Sequence, residues 1–314
     1  MSTPKGRRAV LAGMLALMSA GSLSGAGPLH GGAGWSSREP DTAPDAPGSP
    51  RASAPETPPG GPRVLPGFPR DLRDLPPDLR DLPPDVPGLW PGEVTAVRGE
   101  HSLVLGHRVP STALRDLAVR ADQARRAVGA VWGPVRALVL FPATDAEAAA
   151  LAGAGSTRGL AAMATADRVI VLPSGYARLT PTGRDVVVAH ELTHVATGAT
   201  RGGRVPVWLS EGFADYVGYR DAPIPVREAA AELATEVRAG TVPVRLPVSA
   251  DFAPGAPRLA QAYEEAWLAC RFIAERFGER ALVRLYGNDV GSTLGLPEAG
   301  LTEAWRDYLR RELT

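Results

Sequence analysis

Residues 184–197 read RDVVVAHELTHVAT, and this stretch decides how the rest of the chain is interpreted. Thr180 and Pro181 precede it, which is typical of a helix N-terminus because threonine caps the first turn and proline is tolerated there. The stretch is apolar on nearly every side, which predicts a buried helix. His190 and His194 are four residues apart, so they share one face, about 6 Å apart along the axis. Two imidazoles at that spacing converge on one metal ion, and the site chemistry favours zinc.

Glu191 lies between the two histidines in sequence but roughly 60° round the helix from His194. That position is near the predicted ion but poorly suited to binding it. A general base has to be there to take a proton from a zinc-bound water. The spacing alone leaves one alternative open, namely two core histidines beside a solvated glutamate.

The next stretch, residues 206–216, reads PVWLSEGFADY and predicts a second helix. A catalytic zinc site has three protein ligands and a water, so two histidines leave it one ligand short. We expect Glu211 to supply the third ligand from an antiparallel neighbouring helix. Asp215 shares the face of Glu211 and is predicted to accept the other ring N–H of a ligating histidine, which fixes its tautomer. The small residues Gly212 and Ala214 predict a close approach of helices.

These two stretches, HELTH at 190–194 and WLSEGFADY at 208–216, resemble the gluzincin zinc peptidases. The resemblance is nearest to the peptidase-MA-like group, relatives of thermolysin and of the membrane alanyl aminopeptidases. It is specific over about 180–220 and does not extend to 1–92. It implies a zincin-like fold and one Zn²⁺ per chain. The roles that it implies are metal ligation by His190, His194 and Glu211, general-base catalysis by Glu191, and support of the first histidine by Asp215.

Enzymes of this kind also need a hydrogen-bond donor for the oxyanion of the tetrahedral intermediate. Residues 261–278 read QAYEEAWLACRFIAERFG and resemble the later helix of the family, which implies Tyr263 as that donor. The alternative is that Tyr263 packs beside Trp267 and Cys270 on one helical stripe, with Cys270 in the core. Two further donor candidates are Tyr216 and Tyr219.

One departure from the aminopeptidase relatives bears on specificity. Those relatives carry an acidic residue in a GxMEN strand, where it binds the free amine of the substrate. Residues 159–165 read GLAAMAT here, with no acid after Met163. We therefore expect an endopeptidase or a narrow processing protease acting on a peptide or protein substrate. Residues 168–172 are expected to form the edge strand that pairs with an extended substrate.

The remaining pattern of residues 93–314 predicts a single α+β domain. We expect a small mixed sheet backed by the active-site helix, followed by a mainly helical C-terminal half. Helices are predicted at 111–131 and 144–151. Strands are predicted at 93–97, 102–105, 135–141, 158–164 and 168–172, the first two forming a hairpin.

The first 92 residues predict an export signal and a linker. Residues 1–27 have a basic start, an apolar run at 9–18 and small residues up to Ala26, the layout of a signal peptide. Paired arginines resemble a twin-arginine signal, so the export route stays open, as does an uncleaved anchor. Residues 28–92 hold most of the 31 prolines and a tandem DLRDLPP repeat, which predicts a disordered linker. A partner-binding role of the repeat is the alternative to a spacer.

Composition limits the functions further. The 34 basic and 34 acidic residues balance, so there is no basic field to attract nucleic acid. The single cysteine excludes an internal disulfide and a cysteine-rich zinc module. We therefore expect an exported zinc-dependent peptide hydrolase, secreted or associated with the cell envelope. Two alternatives stay open: an inactive zincin-fold domain that binds a cell-wall or protein partner, and a proenzyme blocked by 28–92.

Overall fold

The computed structural model describes residues 61–65, 79–80, 82–86, 88–154, 157–202 and 205–314. Within these ranges the chain forms one mixed six-stranded sheet and eleven α-helices, with helices alone after the last strand. The expected mixture of a small mixed sheet and a mainly helical C-terminal half is confirmed at this level. The predicted signal peptide, 1–27, and the first repeat copy, 71–77, lie outside the described residues.

The elements are numbered in chain order. The strands are β1 Arg63–Leu65, β2 Val94–Arg98, β3 Ser102–His107, β4 Ala137–Phe141, β5 Ala162–Ala164 and β6 Val169–Val171. The helices are α1 Ser111–Val131, α2 Asp145–Ala152, α3 Pro173–Ala177, α4 Pro181–Thr197, α5 Val207–Tyr219, α6 Val226–Ala229, α7 Ala231–Arg238, α8 Leu259–Phe277, α9 Glu279–Leu285, α10 Val290–Leu294 and α11 Glu298–Leu313. Short 3-10 turns occupy Ala199–Arg201 and Ser249–Phe252. None of the helices in the described ranges is long and apolar enough to cross a membrane.

The sheet has the strand order β1-β2-β3-β4-β6-β5. Strands β3, β4 and β6 are parallel, whereas β1, β2 and β5 pair antiparallel with their neighbours, so the predicted hairpin of β2 and β3 is confirmed. Strand β6 lies between β4 and β5, so the prediction that residues 168–172 form the edge strand is wrong. Because β4 already occupies one side of β6, the turn at 165–168 folds β5 back onto the other side, and β5 becomes the edge.

The strands are apolar on both faces, as expected for a sheet that is covered on both sides. Alternate residues such as Val104 and Val139 point to an inner core under α1, α4 and the later helices. Their neighbours, such as Leu105 and Leu140, belong to a separate outer core on the opposite face. We call these two sides the inner face and the outer face of the sheet.

The outer face is covered by residues that the sequence assigned to a disordered linker. Leu79, Leu82, Val86 and Trp90 are each less than a tenth exposed and join the outer core. The Trp90 ring stacks on His107 of β3, with ring centroids 5.6 Å apart. The described part of 28–92 is therefore packed on the domain, and the folded unit begins before residue 93. Proline-rich composition does not prevent packing when large apolar residues recur between the prolines.

Local capping explains where the functional helix begins and ends. The Thr180 hydroxyl accepts a hydrogen bond from the Gly183 N–H at 3.0 Å, and Pro181 occupies the first helical position. Gly198 ends α4 in the left-handed region at φ 70°, where a residue without Cβ is favoured. The predicted limits of this helix are confirmed, as are those of α1.

Candidate metal centre

Three ionisable residues of α4 are buried on the inner face of the sheet. His190, Glu191 and His194 are 0%, 1% and 7% exposed. Helix α4 packs against α1, α5 and strand β5. Burying three ionisable side chains in an apolar core costs several kcal/mol unless each one finds a partner.

Helix α5 brings the third candidate ligand to this cluster. Its position depends on two glycines that let the backbones approach closely. A Cβ at Gly212 would lie 2.2 Å from the carbonyl oxygen of Ala266 in α8, and one at Gly218 would lie 3.0 Å from that of Val186 in α4. Helix α5 is thereby wedged between α4 and α8. Glu211, adjacent to Gly212, is 2% exposed and faces the histidines.

The donor atoms of His190, His194 and Glu211 converge. Ligand atoms from all three residues lie within 4.8 Å of one another. The two Nε2 atoms are 3.0 Å apart. The Glu211 carboxylate oxygens are 3.4 Å from His190 Nε2 and 3.5 Å from His194 Nε2. Burial favours the neutral form of Glu211, but the two imidazoles outweigh it and lower the pKa of this carboxyl to about 2.

Asp215 fixes the orientation of His190. Its Oδ1 is 2.6 Å from His190 Nδ1, and both side chains are fully buried. A carboxylate only accepts hydrogen bonds, so Nδ1–H is the donor, and in the neutral imidazole that binds a metal Nε2 carries the lone pair. The predicted contact between Asp215 and a candidate ligand is present, and it turns the basic nitrogen of His190 towards His194 and Glu211.

The cluster fits a metal ion better than it fits a closed hydrogen-bond network. Oε2 of Glu211, which faces His190 Nε2 at 3.4 Å, is buried and has no hydrogen-bond partner among the described residues. Such an atom costs about 1–3 kcal/mol if it stays unsatisfied. Two imidazole nitrogens and a carboxylate are also a donor set that zinc takes in catalytic sites. His190, His194 and Glu211 are therefore able to hold such an ion.

Glu191 sits beside this cluster and faces the edge of the sheet. Burial raises the pKa of its carboxyl, and the nearby histidines only partly offset this effect. One carboxylate oxygen accepts the backbone N–H of Ala164 in β5. Oε1 is buried without a hydrogen-bond partner among the described residues. One oxygen is thus anchored to the edge strand, and the other is available.

Tyr263 of α8 lies against the same cluster. Its hydroxyl is buried with no partner among the described residues, and its ring packs edge-on against Phe252 at 5.2 Å. Burial raises the pKa of this hydroxyl well above its ordinary value, and the carboxylates of Glu211, Asp215 and Glu191 raise it further. The phenol is therefore protonated and able to donate.

The competing tyrosines are engaged elsewhere. The Tyr216 hydroxyl donates to Glu279 at 2.7 Å. The Tyr219 ring packs on Trp267 at 4.6 Å, so Trp267 is the partner of Tyr219 rather than of Tyr263. Cys270 is fully buried in the inner core, as the helical stripe predicts.

Sequence reasoning missed two contributors to the site. Ala164 contacts Glu191 through its backbone, and the signal was the GLAAMAT stretch, which matches the family strand more closely than 168–172 does. Tyr286 hydrogen-bonds to residues on both α4 and α5. It is 76 and 89 positions away from its partners Ser210 and Thr197 in sequence, so no local pattern indicated it.

No known protein family, no curated protein and no solved structure matches the chain in the three comparisons. The chemistry that the chain can perform therefore follows from the residues of this cluster and their geometry.

Proposed function

We propose that the chain is an exported, zinc-dependent peptide hydrolase with a zincin-like active-site arrangement. The observation that carries the proposal is the convergence of His190, His194 and Glu211 within 4.8 Å, with Glu191 buried beside them. Zinc held by these three residues would polarise the scissile carbonyl and lower the pKa of a bound water.

Glu191 acts as the general base in this proposal. Its free Oε1 accepts a proton from the attacking water and later delivers it to the leaving amine. The hydrogen bond from Ala164 fixes the carboxylate, so the proton acceptor does not have to be ordered when the substrate binds. A site that only held a structural ion would have no use for a buried carboxylate in this place.

Tyr263 stabilises the oxyanion of the tetrahedral intermediate. A buried phenol with no partner among the described residues is preorganised to donate to a charge that develops only during the reaction. The surrounding carboxylates keep it protonated. This role gives a use to a buried hydroxyl that has no hydrogen-bond partner among the described residues.

The substrate lies along β5 in this proposal, replacing our expectation for residues 168–172. Hydrogen bonds at both ends of the β5–β6 pair, Thr165 N–H to Arg168 and Leu172 N–H to Ala161, direct the Met163 backbone towards β6. Ala162 and Ala164 therefore turn their backbone groups away from β6, to the edge of the sheet, where the Ala164 N–H is taken by Glu191 and the other groups face the substrate in this proposal. No carboxylate follows Met163 to bind a free amine, which favours an endopeptidase.

Access to the site requires the cleft to widen. Among the candidate ligands, Glu191, Tyr263 and Ala164, the least buried are His194 and Ala164, both 7% exposed, so a peptide approaches from their side. Closure over a bound substrate excludes water and strengthens the electrostatic contacts within the site.

The experiment that tests the proposal is metal analysis of the full-length chain with and without the His194→Ala substitution. We expect about one zinc per wild-type chain and none in the variant, because two ligands hold zinc far more weakly than three. A peptide library then identifies the bond that the wild-type chain cleaves internally. No zinc in the wild-type chain at neutral pH with zinc supplied, or equal cleavage by the variant, contradicts the proposal.

A further inference from the structure

Three aromatic rings meet where α4 ends and α5 begins. Trp132 contacts Phe213 and Tyr286, with ring centroids 5.6 Å and 5.1 Å away, and Phe213 lies 5.5 Å from Tyr286. The Trp132 indole N–H donates to the carbonyl oxygen of Ala196 in the last turn of α4 at 3.1 Å. The rings therefore hold Tyr286 in one orientation against both helices.

The Tyr286 hydroxyl links the two helices. It donates to Thr197 Oγ1 at 3.1 Å, and Ser210 Oγ lies 3.2 Å away on α5. The Thr197 hydroxyl donates in turn to the carbonyl oxygen of Thr193 at 3.0 Å. Each hydroxyl has one proton, so Ser210 is the donor to Tyr286. A continuous chain of hydrogen bonds thus runs from Ser210 to the backbone of α4.

Both ends of this chain adjoin candidate ligands. Ser210 immediately precedes Glu211, and Thr197 follows His194 by one helical turn. The other candidate ligand on α4, His190, is tied to α5 through Asp215 at 2.6 Å. The ligand cluster is therefore bracketed by two polar links between α4 and α5.

We propose that Tyr286 is a positioning residue for the metal centre. Its hydroxyl holds the His194 turn of α4 and the Glu211 turn of α5 at the separation that a shared ion requires. The inference rests on the proposed metal site and adds a residue that neither ligates nor reacts. Without the hydroxyl the aromatic packing remains, but the two ligand-bearing turns lose their link.

The test is Tyr286→Phe in the full-length chain, with Zn²⁺ and Co²⁺ affinities measured by competition with a chelator. We expect affinity to fall about tenfold, the lower end of the effect of removing groups that orient ligands. The visible absorption of bound Co²⁺ should shift as its coordination loosens. The control is Tyr176→Phe, which removes another buried tyrosine hydroxyl, one without a hydrogen-bond partner among the described residues. Its metal affinity should stay within twofold of wild type.

Ser210→Ala provides a second variant that breaks the same chain with the ring in place. We expect it to weaken metal binding as well, and to add little to Tyr286→Phe because both remove one link. If the wild-type chain binds metal and both Tyr286→Phe and Ser210→Ala bind it with the same affinity, this inference alone is overturned. A wild-type chain that binds neither Zn²⁺ nor Co²⁺ overturns the proposed function and this inference together.

Discussion

The two faces of the sheet are both covered by apolar residues, but only the inner face also buries a cluster of carboxylates and imidazoles. The outer face is closed by apolar side chains, among them Leu82 and Trp90, over the leucines of β3 and β4. The inner face buries a cluster of ionisable residues within an equally dense core, including His190, Glu191 and Glu211 at 2% exposure or less. The same strands supply both faces by simple alternation.

The difference shows which residues stabilise the fold and which cost stability. Apolar burial on the outer face contributes roughly 25 cal/mol for each Å² removed from water. Buried carboxylates and imidazoles clustered on the inner face carry a desolvation cost, and several of their atoms have no hydrogen-bond partner among the described residues, as is also true of Trp90 Nε1 and His107 Nε2 on the outer face. Residues that cost stability and persist in a core are candidates for function. Substitutions on the outer face are therefore expected to lower the free energy of unfolding. Substitutions in the cluster on the inner face are expected to lower the rate of peptide cleavage.

The largest effect is expected from removing the cover of the outer face. A chain that begins at residue 93 lacks Leu79, Leu82, Val86 and Trp90, each worth about 1.5–3 kcal/mol when buried. Together they match the whole stability of a typical domain, about 5–15 kcal/mol, so this chain should not fold cooperatively. Urea denaturation followed by tryptophan fluorescence checks this, with a chain that begins at residue 61 as the control. Equal midpoints for the two chains would show that the outer face does not need this segment.

On the inner face, Glu191→Gln should strongly slow peptide cleavage and leave the fold intact. The amide keeps the shape of the side chain but no longer accepts a proton, so cleavage should slow by about 10²–10⁴-fold. Zinc content and the denaturation midpoint should not fall, because Glu191 is not among the three candidate ligands. Steady-state cleavage of the peptide selected from the library, together with metal analysis, measures both. Wild-type turnover in this variant would sink the general-base assignment.

Tyr263→Phe is expected to have the next largest effect. Losing one oxyanion donor costs about 10²–10³ in kcat, and KM should change little because the contact forms only in the transition state. Tyr216→Phe is the matched comparison, since its hydroxyl is bound to Glu279. Equal kcat values for the two variants would remove Tyr263 from the mechanism and leave it as a core residue.

The smallest effect on stability is expected from the ion pair of Arg168 and Asp85, at the margin of the outer face. Arg168 lies 2.8 Å from Asp85, and this hydrogen bond lowers the pKa of the Asp85 carboxyl. A lowered folded-state pKa stabilises the fold above the unfolded-state value of about 3.9 and loses that effect as the pH falls through the folded value. Because Asp85 is largely exposed, Asp85→Asn should cost about 0.2–1 kcal/mol at neutral pH. The cost should vanish at a pH low enough to protonate Asp85 in the folded chain.

Urea midpoints of Asp85→Asn and wild type at neutral and strongly acidic pH measure this difference. A cost that is independent of pH would mean that the carboxylate charge does not matter for docking. Metal affinity should be unchanged in either case, since the contact belongs to the outer face.

The sequence predicted the candidate ligands, but it assigned the edge strand beside them to the wrong residues. The helix from Pro181 to Thr197 was predictable because its cap, its period and its terminal glycine are all local signals. The two histidines on one turn follow from helix geometry alone. The edge strand was predicted one strand too late, because both 158–164 and 168–172 have strand-like composition and only the pairing order distinguishes them.

The packing of residues 79–92 on the outer face could not be predicted from the sequence of that segment either. Their prolines predict an extended segment, and an extended segment is compatible with either a tether or a cover. Only the apolar outer face, assembled from strands far along the chain, turns Leu79 and Leu82 into core residues.

The sequence by itself determined the helix from Pro181 to Thr197 and the spacing of His190 and His194, because these depend on residues within a few turns of each other, and it proposed Glu211 as the third ligand from the WLSEGFADY stretch. The tertiary structure alone decided that Glu211 reaches the histidines, that Ala164 binds Glu191, and that Tyr286 joins α4 to α5. Those contacts depend on how helices and strands pack at close range, and packing is set by the whole core rather than by any one segment.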